Sequence, residues 1–100
     1  MKSILTTVHR YHLRIFGDTV SVIRLTGEIV TVQHVKGLLR FALNARTLRF
    51  AWGQFPGDGD EVIYLFDEAD DNFGYAVNLN DPTCSEWGYA PPTVQVEYAI

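Results

Sequence analysis

Apolar and polar residues alternate in several stretches of the chain, and each such stretch predicts a β-strand. In HRYHLRIF, residues 9–16, the odd-numbered residues would lie on one face of the strand and the even-numbered ones on the other. Gly17 and Asp18 follow as a two-residue hairpin turn, and TVSVIRL supplies the returning strand. This turn places Ile15 opposite Val20 and gathers the apolar side chains on one face. The hydrophobic pattern and the turn therefore predict the same hairpin.

Residues 28–45 carry two competing patterns. Residues 28–32 are rich in β-branched side chains and would suit a third strand. The apolar residues that follow have the spacing of one helix face: Val35, Leu38, Leu39, Ala42 and Leu43. We favour a helix from about residue 31 to residue 45, capped by Thr31. Gly37 would lie inside this helix and destabilise it by roughly 1 kcal/mol relative to alanine.

Four further strands are predicted, over residues 46–53, 61–66, 75–79 and 93–100, and residues 80–93 form a long irregular segment with three prolines. The unbroken apolar run EVIYLF suggests a strand that is buried on both faces at the centre of a sheet. Short connections favour antiparallel pairing. We therefore expect one domain, residues 1–100, of the α+β class: a single antiparallel β-sheet of about five to six strands with one helix packed on one face.

Composition supports a folded domain, because 47% of the residues are hydrophobic and thirteen are aromatic. No apolar stretch has the length of a membrane-spanning helix, and the apolar part of MKSILTTVHRYH is too short for a signal peptide. We therefore expect a cytoplasmic protein that does not bind a membrane. Cys84 is the single cysteine, which excludes an intrachain disulfide and predicts a free thiol in a loop or at the edge of the core.

Charge is divided unevenly between the two halves of the chain. All eight basic residues precede position 50, where only Asp18 and Glu28 oppose them, so the first half carries a formal charge of +6. The second half has ten acidic residues and no lysine or arginine, which gives it a charge of −10. Such asymmetry says little about the fold, but it bears on the choice of partner.

Seven carboxylates form two clusters around one apolar run, in PGDGDEVIYLFDEADDN: Asp58, Asp60, Glu61, Asp67, Glu68, Asp70 and Asp71. They could pair with arginines of the first half, or they could form a negative surface that a basic partner recognises. Because the strand between them would be roughly 20 Å long, the clusters should mark two separate corners of the molecule, unless the following loop folds back and joins them into one patch.

Catalytic and metal chemistry find little support in these residues. No starting point in the acidic clusters gives the ligand spacing of an EF-hand, and one cysteine with three dispersed histidines gives no zinc pattern. Phosphate-binding glycine loops and nucleophile motifs are absent from the sequence. We therefore expect no enzyme activity, no metal site and no cofactor.

The leading hypothesis is a small intracellular binding protein that inhibits a basic, nucleic-acid-handling protein by occlusion. The seven clustered carboxylates would form the contact surface with Trp87 and Tyr89, since aromatic residues beside charge are typical of interfaces. In size and charge alone, the chain resembles the small acidic proteins that phages and mobile elements use against host defence, such as anti-CRISPR proteins, and it also resembles nuclease immunity proteins. It would then act in the host cytoplasm. Reversing the charge of residues 67, 68, 70 and 71 should weaken binding and leave the fold intact.

Two alternatives remain open. The chain could be a structural or assembly subunit of a phage or another complex, in which the oppositely charged halves of different copies dock together. It could instead bind nucleic acid directly through a basic stripe formed by Arg10, Arg14 and Arg24. The strongly acidic second half would repel a phosphate backbone unless it pointed away, so direct nucleic-acid binding is the less favoured of the two.

Overall fold

A computed structural model of the chain describes residues 3–54 and 59–90, and residues 95–99 by their backbone. These residues form nine strands, one α-helix and one short 3-10 helix. The strands are β1 (Ser3–Val8), β2 (Tyr11–Phe16), β3 (Thr19–Arg24), β4 (Ile29–His34), β5 (Leu48–Gln54), β6 (Glu61–Asp67), β7 (Phe73–Asn78), β8 (Glu86–Tyr89) and β9 (Gln95–Ala99). The helix α1 spans Leu38–Asn44, and the 3-10 helix spans Pro82–Cys84.

The strands belong to two antiparallel sheets, so the prediction of a single sheet of five to six strands is wrong. The N-terminal sheet has the order β1-β2-β3-β4, and the C-terminal sheet has the order β8-β7-β6-β5-β9. One hydrophobic core contains residues from both sheets and from α1. Alternation along a strand reveals which side chains are buried, but it does not reveal which strands share a sheet, and this explains the error.

The β2–β3 hairpin confirms the register expected from the sequence. Ile15 pairs with Val20, and Gly17 adopts the positive φ of 60° that the turn requires. The inward residues of the hairpin are buried in the common core: Tyr11, Leu13, Ile15, Val20 and Val22. The alternate residues point to the opposite side of the N-terminal sheet, away from the C-terminal sheet.

The helix is shorter than predicted, because the stretch that was expected to begin it is strand β4. A helix cannot pass easily through Gly37, whose φ of 82° lies in the left-handed region, and α1 starts only after this residue. Leu38 and Ala42 then bury one face of the helix at the i,i+4 spacing. The β-branched residues of β4 therefore outweighed the helical spacing, and the glycine separates the two elements.

Strand β6 lies at the centre of the C-terminal sheet and is buried on both faces, as its apolar run predicted. Ile63 and Leu65 face the common core, whereas Val62, Tyr64 and Phe66 form a second apolar cluster on the other face. The neighbouring strand approaches β6 closely at Gly74, where an added Cβ would collide with the Leu65 carbonyl oxygen. Strand β8 was missed by the sequence patterns, since its exposed EWGY lies in the segment predicted to be irregular.

Within the described residues, no helix is both long and apolar enough to cross a lipid bilayer.

Candidate functional site

The two acidic clusters lie at opposite ends of strand β6, as predicted. Glu61 is the first residue of the strand and Asp67 is the last, which separates them by roughly 20 Å. The carboxylates therefore cannot form one compact site. Asp58, a member of the first cluster, lies outside the described residues.

Glu61 connects the two sheets. Its Oε2 accepts a 2.6 Å hydrogen bond from the Tyr11 hydroxyl of β2 and a 2.9 Å hydrogen bond from the Trp52 indole Nε1 of β5. Partial burial opposes ionisation of Glu61, but these two donors, together with the electrostatic effect of Arg24 and His9, outweigh it, and the pKa of the carboxyl is lowered. Burial and the neighbouring Glu61 carboxylate raise the pKa of Tyr11. We call Glu61, Tyr11 and Trp52 the inter-sheet cluster.

Two further residues add to this end of β6. The His9 ring stacks on the Trp52 indole with 3.9 Å between ring centroids, at the turn where β1 leads into β2. Asp60 is half-buried and also interacts within the chain. Glu61 of the first acidic cluster is thus engaged in joining the sheets. A general acid or base needs a carboxyl of raised pKa, and Glu61 has the opposite shift.

Asp67 closes the loop that leads from α1 into β5. Its side chain is only 7% exposed and accepts hydrogen bonds from the backbone N–H groups of Arg46, Thr47 and Ala69 at 3.0 to 3.1 Å. The hydrogen bond from Thr47, supported by the other two, lowers the pKa of this carboxyl despite its burial. Reversing the charge at Asp67 would leave these donors unsatisfied, so the expectation that the fold tolerates this change does not hold for Asp67.

Glu68 is also paired within the chain. Its Oε2 accepts a 3.1 Å hydrogen bond from Nε of Arg49 on β5, and both side chains are partly exposed. The backbone N–H of Glu68 donates to the Thr47 carbonyl, which holds this end of the turn against β5. Structural contacts that the sequence did not reveal therefore engage three of the predicted binding carboxylates: Glu61, Asp67 and Glu68.

Asp70 and Asp71 differ from the other carboxylates. Both are exposed on the turn between β6 and β7, and their side chains have no hydrogen bond or ion pair with the part of the chain that the structure describes. The turn is held by its backbone, in which Asp70 N–H donates to the Asp67 carbonyl and Phe73 N–H donates to the Asp70 carbonyl. Asp71 and Asn72 take positive φ values of 52° and 61°, which short polar side chains tolerate.

Aromatic side chains cover the surface next to this turn. Trp87 of β8 contacts Phe73 and Tyr75 of the adjacent strand β7, and also Phe41 of α1, with ring centroids 5.0 to 6.1 Å apart. Tyr89 lies opposite Phe73 in the β7–β8 ladder, with 5.2 Å between the rings. Trp87 is 38% exposed and Tyr89 is 68% exposed. Trp87 is thus partly anchored in the fold, while Tyr89 projects into solvent.

The structure brings four of the nine predicted binding residues to one corner: Asp70, Asp71, Trp87 and Tyr89. Together with Phe73 they form what we call the acid–aromatic surface. Trp87 and Tyr89 lie on β8, an edge strand of the C-terminal sheet as far as the structure describes it, and Phe73 lies on the neighbouring strand β7. The contribution of Phe41 could not be read from the sequence, because a helical phenylalanine is more often a core residue and its distance from Trp87 in the chain is large.

The basic stripe proposed for nucleic-acid binding is not continuous. Arg10 lies in the turn between β1 and β2, and Arg14 points outward from the N-terminal sheet. Arg24 pairs with the buried Tyr11 in the β2–β3 ladder, so it belongs to the inward-facing row. Its guanidinium lies 5.8 Å from the Tyr11 ring centre and 3.4 Å from the Glu28 carboxylate. Arg14 and Arg24 thus lie on opposite faces of the N-terminal sheet.

Cys84 is an exposed free thiol, as expected from the sequence. It donates a 3.1 Å hydrogen bond to Oδ2 of Asp81, and this bond raises the pKa of the thiol. Among the described residues, no group of three or more histidine, cysteine or acidic side chains could hold a metal ion.

No protein-family model, curated protein or solved structure matches the chain at a significant level.

Proposed function

We propose that the chain is a small binding protein that inhibits a basic, nucleic-acid-handling protein by covering its working surface. The observation that carries this proposal is the acid–aromatic surface, where Trp87 and Tyr89 are exposed beside the exposed carboxylates of Asp70 and Asp71. Clustered carboxylates attract an arginine- or lysine-rich surface over a distance, and desolvated aromatic residues supply most of the binding free energy at many interfaces.

The arrangement of the aromatic rings favours a rigid contact. Trp87 is held on three sides by Phe41, Phe73 and Tyr75, so it loses little side-chain entropy on binding. Tyr89 offers a ring and a hydroxyl group beyond it, which suits a contact that is part apolar and part polar. Strand β8 presents these residues at the side of the sheet, where a partner can approach them.

Inhibition would require no chemistry by the chain. Carboxylates mimic the charge of a phosphate array, so the acid–aromatic surface would occupy a site in which the partner normally holds nucleic acid. Anti-CRISPR proteins and nuclease immunity proteins are the classes that this proposal favours, with the cytoplasm of the host cell as the place of action.

The test is a panel of purified CRISPR effector complexes and toxin nucleases, whose cleavage of a labelled nucleic acid is measured with and without the chain. We expect stoichiometric inhibition of at least one of them. Asp70→Lys combined with Asp71→Lys should abolish that inhibition, since both changes reverse charge at the acid–aromatic surface.

Glu86→Lys is the matched control, because Glu86 lies on the same strand β8 but lines the opposite face of the sheet with Tyr64 and Ala76. It should leave inhibition unchanged, whereas the single Asp70→Lys, which changes the net charge equally, should weaken inhibition. This pair separates a local contact from an effect of total charge. Inhibition that survives the double reversal would contradict the proposed surface, and a panel with no inhibited member would count against the inhibitor function.

A further inference from the structure

The outer face of the N-terminal sheet carries large apolar side chains that are exposed to solvent. Leu5, Phe16, Ile29 and Val32 lie on it, and these four side chains are 46% to 71% exposed. The register places Leu5, Arg14, Ser21 and Val32 in one row across the four strands, with Phe16 in the next row. Arg14 and Ser21 therefore separate an apolar group on β1 and β2, Leu5 and Phe16, from one on β4, Ile29 and Val32. Exposed apolar groups bordered by polar residues indicate an interaction surface.

The ionisable side chains of this face are all basic. They are His12, Arg14 and His34, which occupy outward positions on β2 and β4. The Arg14 guanidinium lies 5.3 Å from the centre of the Phe16 ring, so charge and apolar area are adjacent. A partner for this face must therefore present both apolar groups and carboxylates.

The acid–aromatic surface has that chemistry, but it cannot reach this face within one molecule. The inward residues of β2 and β3 pack against the C-terminal sheet, so the outer face points away from it. Phe73, Trp87 and Tyr89 alternate with residues of the second apolar cluster and lie on the side of the C-terminal sheet that faces the core and α1. Contact between the two surfaces requires two molecules.

We propose that the outer face of the N-terminal sheet receives the acid–aromatic surface of a second copy of this chain. The contact is heterologous, because two different surfaces meet, and repetition of it builds an open chain of copies or a closed ring. Two outer faces would not pair well with each other, since each carries Arg14 without a carboxylate to oppose it. Self-association would also cover the surface that the proposed inhibitor function needs, so the two kinds of binding exclude each other.

The first measurement is sedimentation velocity of the purified chain from about 1 μM to about 1 mM, the range that suits a contact of modest free energy. The average mass should rise above that of the monomer with increasing concentration. Higher salt should weaken the association because it screens the charged part of the contact. A chain that stays monomeric over the whole range would overturn the proposal.

Two variants then test which surfaces meet. Leu5→Glu with Arg14→Glu changes the outer face, and Asp70→Lys with Tyr89→Lys changes the acid–aromatic surface; all four positions are exposed. Each variant alone should associate at least roughly tenfold more weakly than the unmodified chain, since like charges now oppose each other. An equimolar mixture should regain dimers, because each variant keeps one intact surface and these two intact surfaces can meet.

The control is Lys36→Glu, which changes the net charge as much as Arg14→Glu does, at an exposed position just before α1. It should associate like the unmodified chain. The variant with Asp70→Lys and Tyr89→Lys keeps its outer face. If it associates with itself while the variant with Leu5→Glu and Arg14→Glu stays monomeric, two outer faces pair symmetrically, and the head-to-tail contact is overturned. A mixture that stays monomeric would also overturn it. Circular dichroism checks folding, and Val32→Glu replaces the first variant if that variant unfolds. The test uses the chain alone, so it can fail or succeed independently of the inhibitor function.

Discussion

The two ends of strand β6 look alike in the sequence and differ in the folded chain. At the first end, Glu61 accepts hydrogen bonds from Tyr11 and Trp52 and joins two sheets. At the second end, the carboxylates divide between structural contacts at Asp67 and Glu68 and the exposed side chains of Asp70 and Asp71. A run of acidic residues therefore need not be a single functional unit.

The difference follows from what surrounds each carboxylate. A carboxylate next to the core remains charged only if donors replace the water it loses, and Tyr11, Trp52 and the Thr47 backbone provide such donors. Asp70 and Asp71 lie on a turn that its backbone already stabilises, so their side chains remain hydrated. Substitutions at Glu61 and Asp67 should therefore affect stability, and substitutions at Asp70 and Asp71 should affect binding.

The largest effect on stability is expected from Asp67→Ala. Three backbone N–H groups lose their acceptor, and the loop before β5 loses the contacts that close it. The unfolding equilibrium constant should rise by an order of magnitude or more, measured as a lower urea midpoint by circular dichroism. Asp70→Ala, three residues along, is the matched control and should leave the midpoint within experimental error.

A second prediction concerns the inter-sheet cluster. Tyr11→Phe removes the hydroxyl donor to Glu61 and keeps the ring. It should destabilise the fold by about 1.5 kcal/mol, the low end for a hydrogen bond to a charged group, because Glu61 is only partly buried. Glu61→Gln should be destabilising as well. If the contact joins the sheets, the double variant will lose less than the sum of the two single losses. Additive losses in urea unfolding would show that the two residues act independently.

The third prediction concerns acid stability. Glu61 and Asp67 have folded pKa values below their ordinary values of 4.5 and 3.8, so the unfolded chain takes up protons first as the pH falls. Their contribution to stability is present above these ordinary values and is lost as the pH falls through the lower folded values. Urea midpoints measured from about pH 7 to about pH 3 should therefore fall in acid. The urea midpoint of Glu61→Gln should fall less than that of the unmodified chain over this pH range. Equal falls in the two proteins would contradict the assignment of acid sensitivity to Glu61.

The local parts of the fold were readable from the sequence, and the distant contacts were not. The β2–β3 hairpin and the central position of β6 followed from alternation, turn chemistry and an apolar run. The division into two sheets did not, because it depends on which strands pair: among the described residues, strands before Gly37 pair only with each other, and so do strands after it. Helical spacing after that glycine extended the predicted helix into β4, where the β-branched residues decide the structure.

The candidate site shows the same limit. The separation of the acidic clusters was predicted from strand length. Trp87 and Tyr89 were chosen because aromatic residues lie beside charge there, and both are exposed. The hydrogen bond between Tyr11 and Glu61 joins residues that are fifty positions apart, so no local pattern could indicate it. Asp67 was read as a surface acid because it begins an acidic run, although its position at the end of a buried strand is compatible with burial.

The smallest effect on stability should come from the ion pair between Arg49 and Glu68. Glu68 is paired within the chain, as Asp67 is, but it is exposed, as Asp70 and Asp71 are. The side chains are 30% and 49% exposed, so solvent screens their attraction and the pair should contribute about 0–1 kcal/mol. Glu68→Gln should therefore lower the urea midpoint slightly in dilute buffer, with the difference disappearing at high salt. Arg49→Gln should give the same small loss. A fall in the urea midpoint for Glu68→Gln as large as that for Asp67→Ala, and insensitive to salt, would mean that folding depends on the exposed carboxylates at the second end of β6. The distinction between structural carboxylates and carboxylates available for binding would then fail at this end.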